Sequence, residues 1–242
     1  MANTVDIRIL GISGSPIKDG NCDTLIKEAL RMASEYEGVD TDFVTLADKN
    51  ILACQHCQWC IANRSPCKIE DDLPEVVDKI TETDGLFLGG PIWKWTLSSP
   101  LINLYSRLRY VDFFTPDLRN KVVGAFVCGW FGLGADRAMD VIETIVKPSM
   151  QIPVAQASVI VSEVAHGKRA AYMERGGLDD AVGMQMVDVA VSRVVEVTRM
   201  IKYGRNAGVG LPVEQQRMIT GARVKPANKK AFVEGVWRDQ TD

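Results

Sequence analysis

Five short stretches with strand character recur along the chain, each followed by a helical pattern, and this alternation restricts the fold more than any other feature. The stretches are 5–12 (VDIRILGI), 41–46 (TDFVTL), 85–90 (GLFLGG), 121–129 (KVVGAFVCG) and 153–161 (PVAQASVIV). All but the second are near-continuous apolar runs, which a strand carries when both faces of its sheet are covered. Between them apolar residues return at helical spacing, as in Leu25, Ile26, Ala29, Leu30 and Ala33. Helices are predicted over 21–36, 71–84, 98–111, 134–147 and 178–204. Asp71 and Asp72 place negative charge at one helix start. Ser98, Ser99 and Pro100 supply a cap and a first-turn proline at another. Gly204 reads as a helix stop.

Strands alternating with helices build a parallel sheet covered on both faces. The fold class that follows is α/β: a flavodoxin-like, doubly wound, five-stranded parallel sheet of order 2-1-3-4-5. Residues 1–204 are expected to form this domain, with a cysteine loop (52–68) after the second strand. Residues 205–242 carry Gly, Pro and scattered Lys and Arg. They read as a C-terminal extension that packs on a neighbouring subunit or stays partly disordered. A net charge of −3 gives no pull towards nucleic acid. The start of the chain lacks the pattern of a signal peptide. The longest apolar run, Val122–Ala135, is broken by four glycines and is too short to span a bilayer. The expectation is a soluble cytoplasmic protein with neither a nucleic-acid nor a membrane partner.

Four of the six cysteines fall in CQHCQWCIANRSPC, residues 54–67, at spacing C-x2-C-x2-C-x6-C. A disulfide knot, a structural zinc and an iron–sulfur cluster compete for them. Cytosolic thiols are kept reduced, and small loops gain little from closure, so disulfides fit least well. Zinc sites usually use two separated C-x2-C pairs, whereas an unbroken triplet matches ferredoxin runs. Zinc and free thiols stay open on spacing alone. His56 reads as a side chain packed beside the site or bonded to a sulfur, and only as an exceptional ligand. Trp59 reads as a shield from water, Cys22 as a small residue near the first loop, and Cys128 as core.

In such a sheet, ligands bind beyond the carboxyl ends of the strands. Three loops meet that condition. GISGSPIKDGNCDTL (11–25) combines glycines with Ser13, Ser15, Asn21 and Thr24 ahead of a helix start, an anion-binding combination that lacks the P-loop ending. GGPIWKWTLSSP (89–100) brings Trp93 and Trp95 to an exposed position, for stacking on a planar ring or for a subunit seam. CGWFGLGADR (128–137) exposes backbone N–H groups through Gly129, Gly132 and Gly134.

Together these residues resemble the NADPH-dependent FMN reductase superfamily, and within it the iron–sulfur flavoproteins, over roughly residues 6–203. Gly14, Ser15, Pro16, Lys18, Gly20 and Asn21 fall on that family's phosphate loop, with Ile17 in place of arginine and Cys22 in place of threonine. Pro91, Ile92 and Trp93 fall on its flavin-contacting segment. Cys54, Cys57, Cys60 and Cys67 match the cysteine motif of the iron–sulfur subgroup. The resemblance implies bound FMN, held by Ser13, Ser15, Pro16, Asn21, Cys22, Thr24, Pro91, Ile92, Trp93, Lys94, Gly129, Gly132 and Gly134. It implies a [4Fe–4S] cluster on the four cysteines, and a homodimer or homotetramer. No acid–base dyad or nucleophile stands out. The expected activity is electron passage between NAD(P)H or a ferredoxin-like donor and a small redox acceptor such as a quinone, peroxide or oxygen. Three rivals remain: a flavin dehydrogenase or reductase for a small organic acid with the cluster as electron outlet, for which Lys168, Arg169 and Arg175 of the 162–177 loop could bind a carboxylate although they read first as a solvated basic loop; a flavodoxin-like carrier; and a zinc-stabilised FMN reductase. His166 reads as a solvated loop histidine.

Overall fold

A computed structural model describes residues 5–162 and 173–216, with the backbone of 230–233 and 236–239. The central sheet has the order β2-β1-β3-β5-β6, all parallel. Its strands are β1 (Ile7–Ser13), β2 (Val39–Thr45), β3 (Gly85–Trp93), β5 (Val122–Gly129) and β6 (Ile152–Ile160). A two-residue strand, β4 (Thr96–Leu97), turns back antiparallel on the end of β3. The sheet is therefore the predicted five-stranded parallel one, with this short addition. β5 is buried along its whole length, and β1 and the first six residues of β3 nearly so. These central strands are the near-continuous apolar runs, while edge strand β2 alternates in exposure.

Helices cover both faces. α1 (Asn21–Ser34) and α7 (Ala181–Asn206) enclose a core of Ile9, Phe87, Phe126, Leu25, Ile26, Val187, Val191 and Val194. α3 (Leu73–Thr81), α4 (Ser99–Ser106) and α6 (Ala135–Val146) enclose Leu10, Ile12, Leu86, Leu88, Val76, Ile80, Leu101 and Ile142 on the other. Successive β1 residues serve opposite cores, as strand geometry requires. Phe87 and Phe126 meet edge to face with ring centroids 5.1 Å apart. Burying each such side chain is worth about 1.5–3 kcal/mol.

Two helix boundaries depart from the sequence reading. The helix expected over 98–111 breaks at Arg107 and Leu108 into α4 and α5 (Arg109–Phe114). α7 runs through Gly204 to Asn206, and the left-handed turn comes at Gly208, with φ 73°. The extension contains a two-stranded antiparallel hairpin, β7 (Lys230–Val233) with β8 (Val236–Asp239). A four-residue helix, α2 (Trp59–Ala62), lies inside the cysteine loop. At the sheet edge opposite the three ligand loops, Lys121 is buried. Its Nζ donates to the carbonyls of Thr81, at 2.9 Å, and Thr83.

Candidate functional site

The carboxyl ends of β1, β3 and β5 bring the three loops together where the strand order reverses, between β1 and β3. The Gly14 N–H donates to Gly89 O at 2.7 Å, and Ser98 Oγ donates to Gly14 O at 2.8 Å. These bonds join the ends of β1, β3 and α4. α1, α4 and α6 all start here, and no side chain caps any of the three. Uncapped N-termini leave N–H groups free for an anion. Ser13 Oγ is fully buried and has no hydrogen-bond partner. A buried hydroxyl without a partner costs about 1–3 kcal/mol. A polar ligand group at this edge would remove that cost, so the loop suits a phosphate-bearing cofactor.

The other predicted first-loop residues divide. The Ser15 hydroxyl receives the Ile17 N–H at 3.0 Å and so shapes its own loop. Thr24 Oγ1 donates to Gly20 O at 3.0 Å. Pro16 is exposed and Asn21 half-buried. The Asn21 amide presses on Gly176, where an added Cβ would lie 1.6 Å from Oδ1. Cys22 turns inward, buried and hydrogen-bonded to Cys128, so only its backbone faces the loop. That bond and burial push the Cys128 thiol far up. Asp23 fastens the loop to the neighbouring strand, accepting from Asp19 N at 2.8 Å and Thr45 Oγ1 at 3.0 Å.

In the second loop, β3 continues to Trp93 and closes a two-residue hairpin at Lys94 and Trp95. Both turn residues have left-handed φ, 50° and 67°. Hairpins of this kind normally use Asn and Gly there, so the turn is strained. Trp93 and Trp95 are 46% and 55% exposed, and Trp130 of the third loop is 41% exposed. Apolar surface of this size at a ligand edge suits a flat ring. The two loops touch. A Cβ on Gly134 would come within 2.7 Å of the Trp95 backbone, and one on Gly129 within 2.7 Å of Ile92. Gly132 and Gly134 have φ of 82° and 86°. Pro91 pairs in register with Cys128. Lys94 is exposed and has no ion pair among the described residues.

The cysteine loop is held from outside itself by Arg107, at the break between α4 and α5. Its guanidinium pairs with Asp71, and both side chains are fully buried. It also donates to Leu52 O at 3.2 Å and Ile69 O at 3.4 Å, and bonds to Cys67. One residue thus grips both ends of the loop and one thiol. Arg107 Nε remains buried without a partner. Burial raises the Asp71 pKa, but Arg107 and the N–H groups of Leu52 and Leu73 outweigh it and hold the carboxyl below its usual range. Arg109 contacts His56 Nδ1 at 3.2 Å and donates to Gln58 Oε1 at 3.1 Å. His56 and Gln58 both have left-handed φ, 52° and 61°, and the His56 N–H donates to Cys54 Sγ at 3.4 Å.

All four loop cysteines are free and partly buried. Burial pushes the Cys60 thiol up, Arg109 pulls it down, and Cys67, Cys54 and Cys57 push it up further. Among the described residues no three metal-binding side chains stand assembled as a ready metal site. Four soft thiols, two arginines and an unpaired Arg107 donor suit an anionic thiolate-ligated centre. Lys68 Nζ lies 5.3 Å from the centre of the Trp59 ring, and Trp59 is half-buried.

Arg107, Arg109, Trp130 and Gly176 were not singled out from sequence. Arg107 and Arg109 lie in SRLRYV, inside the predicted 98–111 helix, and nothing local marks them because their partners are distant in the chain. Of the loop cations that the organic-acid rival would use, Arg175 is held by Asp179 at 2.7 Å. His166, Lys168 and Arg169 lie outside the described residues.

The parallel sheet, its switch point and the uncapped helix starts define a flavodoxin-like protein with a cofactor edge, and its relatives narrow the class to flavin-dependent oxidoreductases. The profile of a family described as NADPH-dependent FMN reductase matches residues 7–194. An iron–sulfur flavoprotein of Methanocaldococcus jannaschii is 31% identical over 201 residues, 81% of this chain and 100% of the relative. An iron–sulfur flavoprotein of Methanosarcina thermophila is 28% identical over 209 residues, 83% of this chain and 100% of the relative. The crystal structure of RosB with a bound 8-demethyl-8-formylriboflavin 5'-phosphate intermediate shares the fold. Its TM-score is 0.66 at 18% identity, covering 92% of this chain and 97% of that one. An apo NADH:FMN oxidoreductase gives a TM-score of 0.52 at 14% identity, with coverage of 88% and 95%. This chain belongs to the NADPH-dependent FMN reductase family, and within it to the iron–sulfur flavoproteins. Among the described residues, no helix is long and apolar enough to cross a membrane.

Proposed function

We propose that this flavin-dependent oxidoreductase carries FMN and a [4Fe–4S] cluster and passes electrons from NAD(P)H or a ferredoxin-like donor to a small acceptor such as a quinone, peroxide or oxygen. The observation that carries the reading is the cysteine loop: four free, partly buried thiols within fourteen residues, with Arg107 bonded to one of them and offering a further buried, unpaired N–H. When bound, a flavin exchanges one or two electrons and a four-iron cluster one at a time, so the pair can join two-electron and one-electron partners.

The chain's own groups have separate tasks. The uncapped start of α1 and the Ser13 hydroxyl bind the cofactor phosphate. Pro91, Ile92, Trp93 and Lys94 would contact the flavin ring, and the N–H groups around Gly129, Gly132 and Gly134 would hydrogen-bond to it. The exposed tryptophans exclude water. Cys54, Cys57, Cys60 and Cys67 hold the cluster, while Arg107 and Arg109 offset its negative charge. RosB, on the same fold, holds a riboflavin 5'-phosphate derivative, which is in keeping with a flavin phosphate as the ligand. The reading includes a cytoplasmic location and a homodimer or homotetramer in which cluster and flavin approach each other.

The test is the iron, sulfide, zinc and flavin content of protein purified without oxygen. About four iron and four sulfide per chain alongside FMN is expected. FMN with zinc, or with bare thiols, would reduce the protein to a flavin reductase with a structural cysteine clasp.

A further inference from the structure

The outer side of α7 carries a pattern that its own fold does not use. The helix buries Val187, Val191, Val194 and Val195 in the core. Val182, Met186, Val189, Met200 and Tyr203 remain between 47% and 71% exposed. With Arg193 and Glu196 between them, these residues fall at 182, 186, 189, 193, 196, 200 and 203. The steps alternate between four and three, the seam spacing of paired helices. From Met186 to Tyr203 the stripe runs for roughly 26 Å at ~1.5 Å per residue. Five exposed apolar side chains on one stripe, flanking a central Arg193–Glu196 pair, suit an interaction surface.

The stripe is also self-complementary. Its midpoint lies between residues 194 and 195. Positions equally far from that midpoint match: Arg193 with Glu196, Val189 with Met200, and Met186 with Tyr203. An antiparallel pair of identical helices brings such positions face to face, and a two-fold axis makes each contact occur twice. A parallel pair in register would instead set arginine on arginine and glutamate on glutamate. Within one subunit, Arg193 Nη1 donates to Glu196 Oε2 at 2.6 Å, with the two side chains 52% and 60% exposed. That bond is open to sharing with a second copy.

We propose that α7 docks antiparallel on α7 of a second copy of this chain, about a two-fold axis beside residues 194 and 195, with Arg193 facing Glu196 of the partner subunit. The proposal specifies the surface of the homo-oligomer included above and rests on that oligomer, but on neither cofactor.

The test uses the full chain with its cofactors, by sedimentation equilibrium. Arg193→Glu and Glu196→Arg should each weaken association by about tenfold or more, because each creates two like-charge contacts per interface. An equimolar mixture of the two single variants should recover association as a mixed dimer, since every contact then joins opposite charges. The double variant R193E/E196R should also associate normally. Far-UV circular dichroism and flavin content report that the variants are folded. Should a charge variant fail to fold, the pair V189C and M200C provides a second route: mixed under oxidising conditions, the two should form a disulfide-linked dimer. An oligomer indifferent to both charge variants would overturn this surface while leaving the homo-oligomer intact. A monomeric wild type, with the stripe bare or covered by the chain's own C-terminal segment, would overturn both. Iron and flavin content would decide the electron-transfer reading in either case.

Discussion

Arg107 shows how one side chain can hold a functional loop that contributes little core of its own. Its pairing with Asp71 is fully buried, and each partner would be left as an unpaired charge without the other. Arg107→Met should therefore lower the unfolding free energy by about 3–5 kcal/mol, measured by urea denaturation. Replacing both partners, Arg107→Met with Asp71→Leu, should recover much of that loss. The Asp71 carboxyl is held below its usual range, so its contribution is complete above the unfolded value, near ~4, and fades as pH falls through the folded one. The stability difference between wild type and Asp71→Asn should thus shrink below about pH 4, while remaining constant from pH 5 to 7. Sequence could not supply this residue. An arginine at a helix end is ordinarily solvated, and Asp71 lies 36 positions away.

At the level of elements, what could be read depended on whether the local pattern decided the structure. The strands and both cores follow from periodicity, because burial on both sheet faces imposes it. The β3–β4 hairpin was not legible, since Lys94 and Trp95 are not the residues such a turn prefers. Gly204 failed to stop α7 because a glycine inside a helix costs only about 1 kcal/mol, less than a long packed helix gains. The ligand-edge glycines differ in what they tolerate. Gly134→Ala combines a left-handed φ with a clash against the Trp95 backbone, whereas Gly132→Ala meets only Ile160 at 3.4 Å. The first should be the more destabilising, with a backbone strain of about 1–3 kcal/mol in either case. It should also weaken FMN binding more, as read by flavin fluorescence titration. The cysteine loop should behave as a separate unit: Cys57→Ser should abolish iron binding and leave the flavin content unchanged. Loss of both would show that the two sites fold together.

For the whole molecule, the alkaline limb of stability should be governed by Lys121. Burial lowers its pKa to about 8, with Asp84 and Asp117 opposing and Arg205 assisting. The unfolded chain therefore binds a proton that the folded chain gives up between about pH 8 and 10.5. Wild-type stability should rise across that window by up to about 3 kcal/mol relative to Lys121→Met. Denaturant titrations at pH 7.5 and 10 would check it. The fold as a whole was legible because alternating strands and helices leave few topologies. The candidate site was legible where loops and cysteine spacing carry it, and not where distant residues complete it.

The clamp at Arg107 also imposes an order in time. The cysteines leave the ribosome well before the arginine that grips their loop, and the arginine is set in place only when α4 has packed on the sheet. Until then the four thiols are tethered at one end of an open segment, available to any passing metal or oxidant. Any metal or cluster held by these cysteines would in this sense be loaded late in the life of each chain, and the speed with which the neighbouring core closes would decide how long the thiols wait.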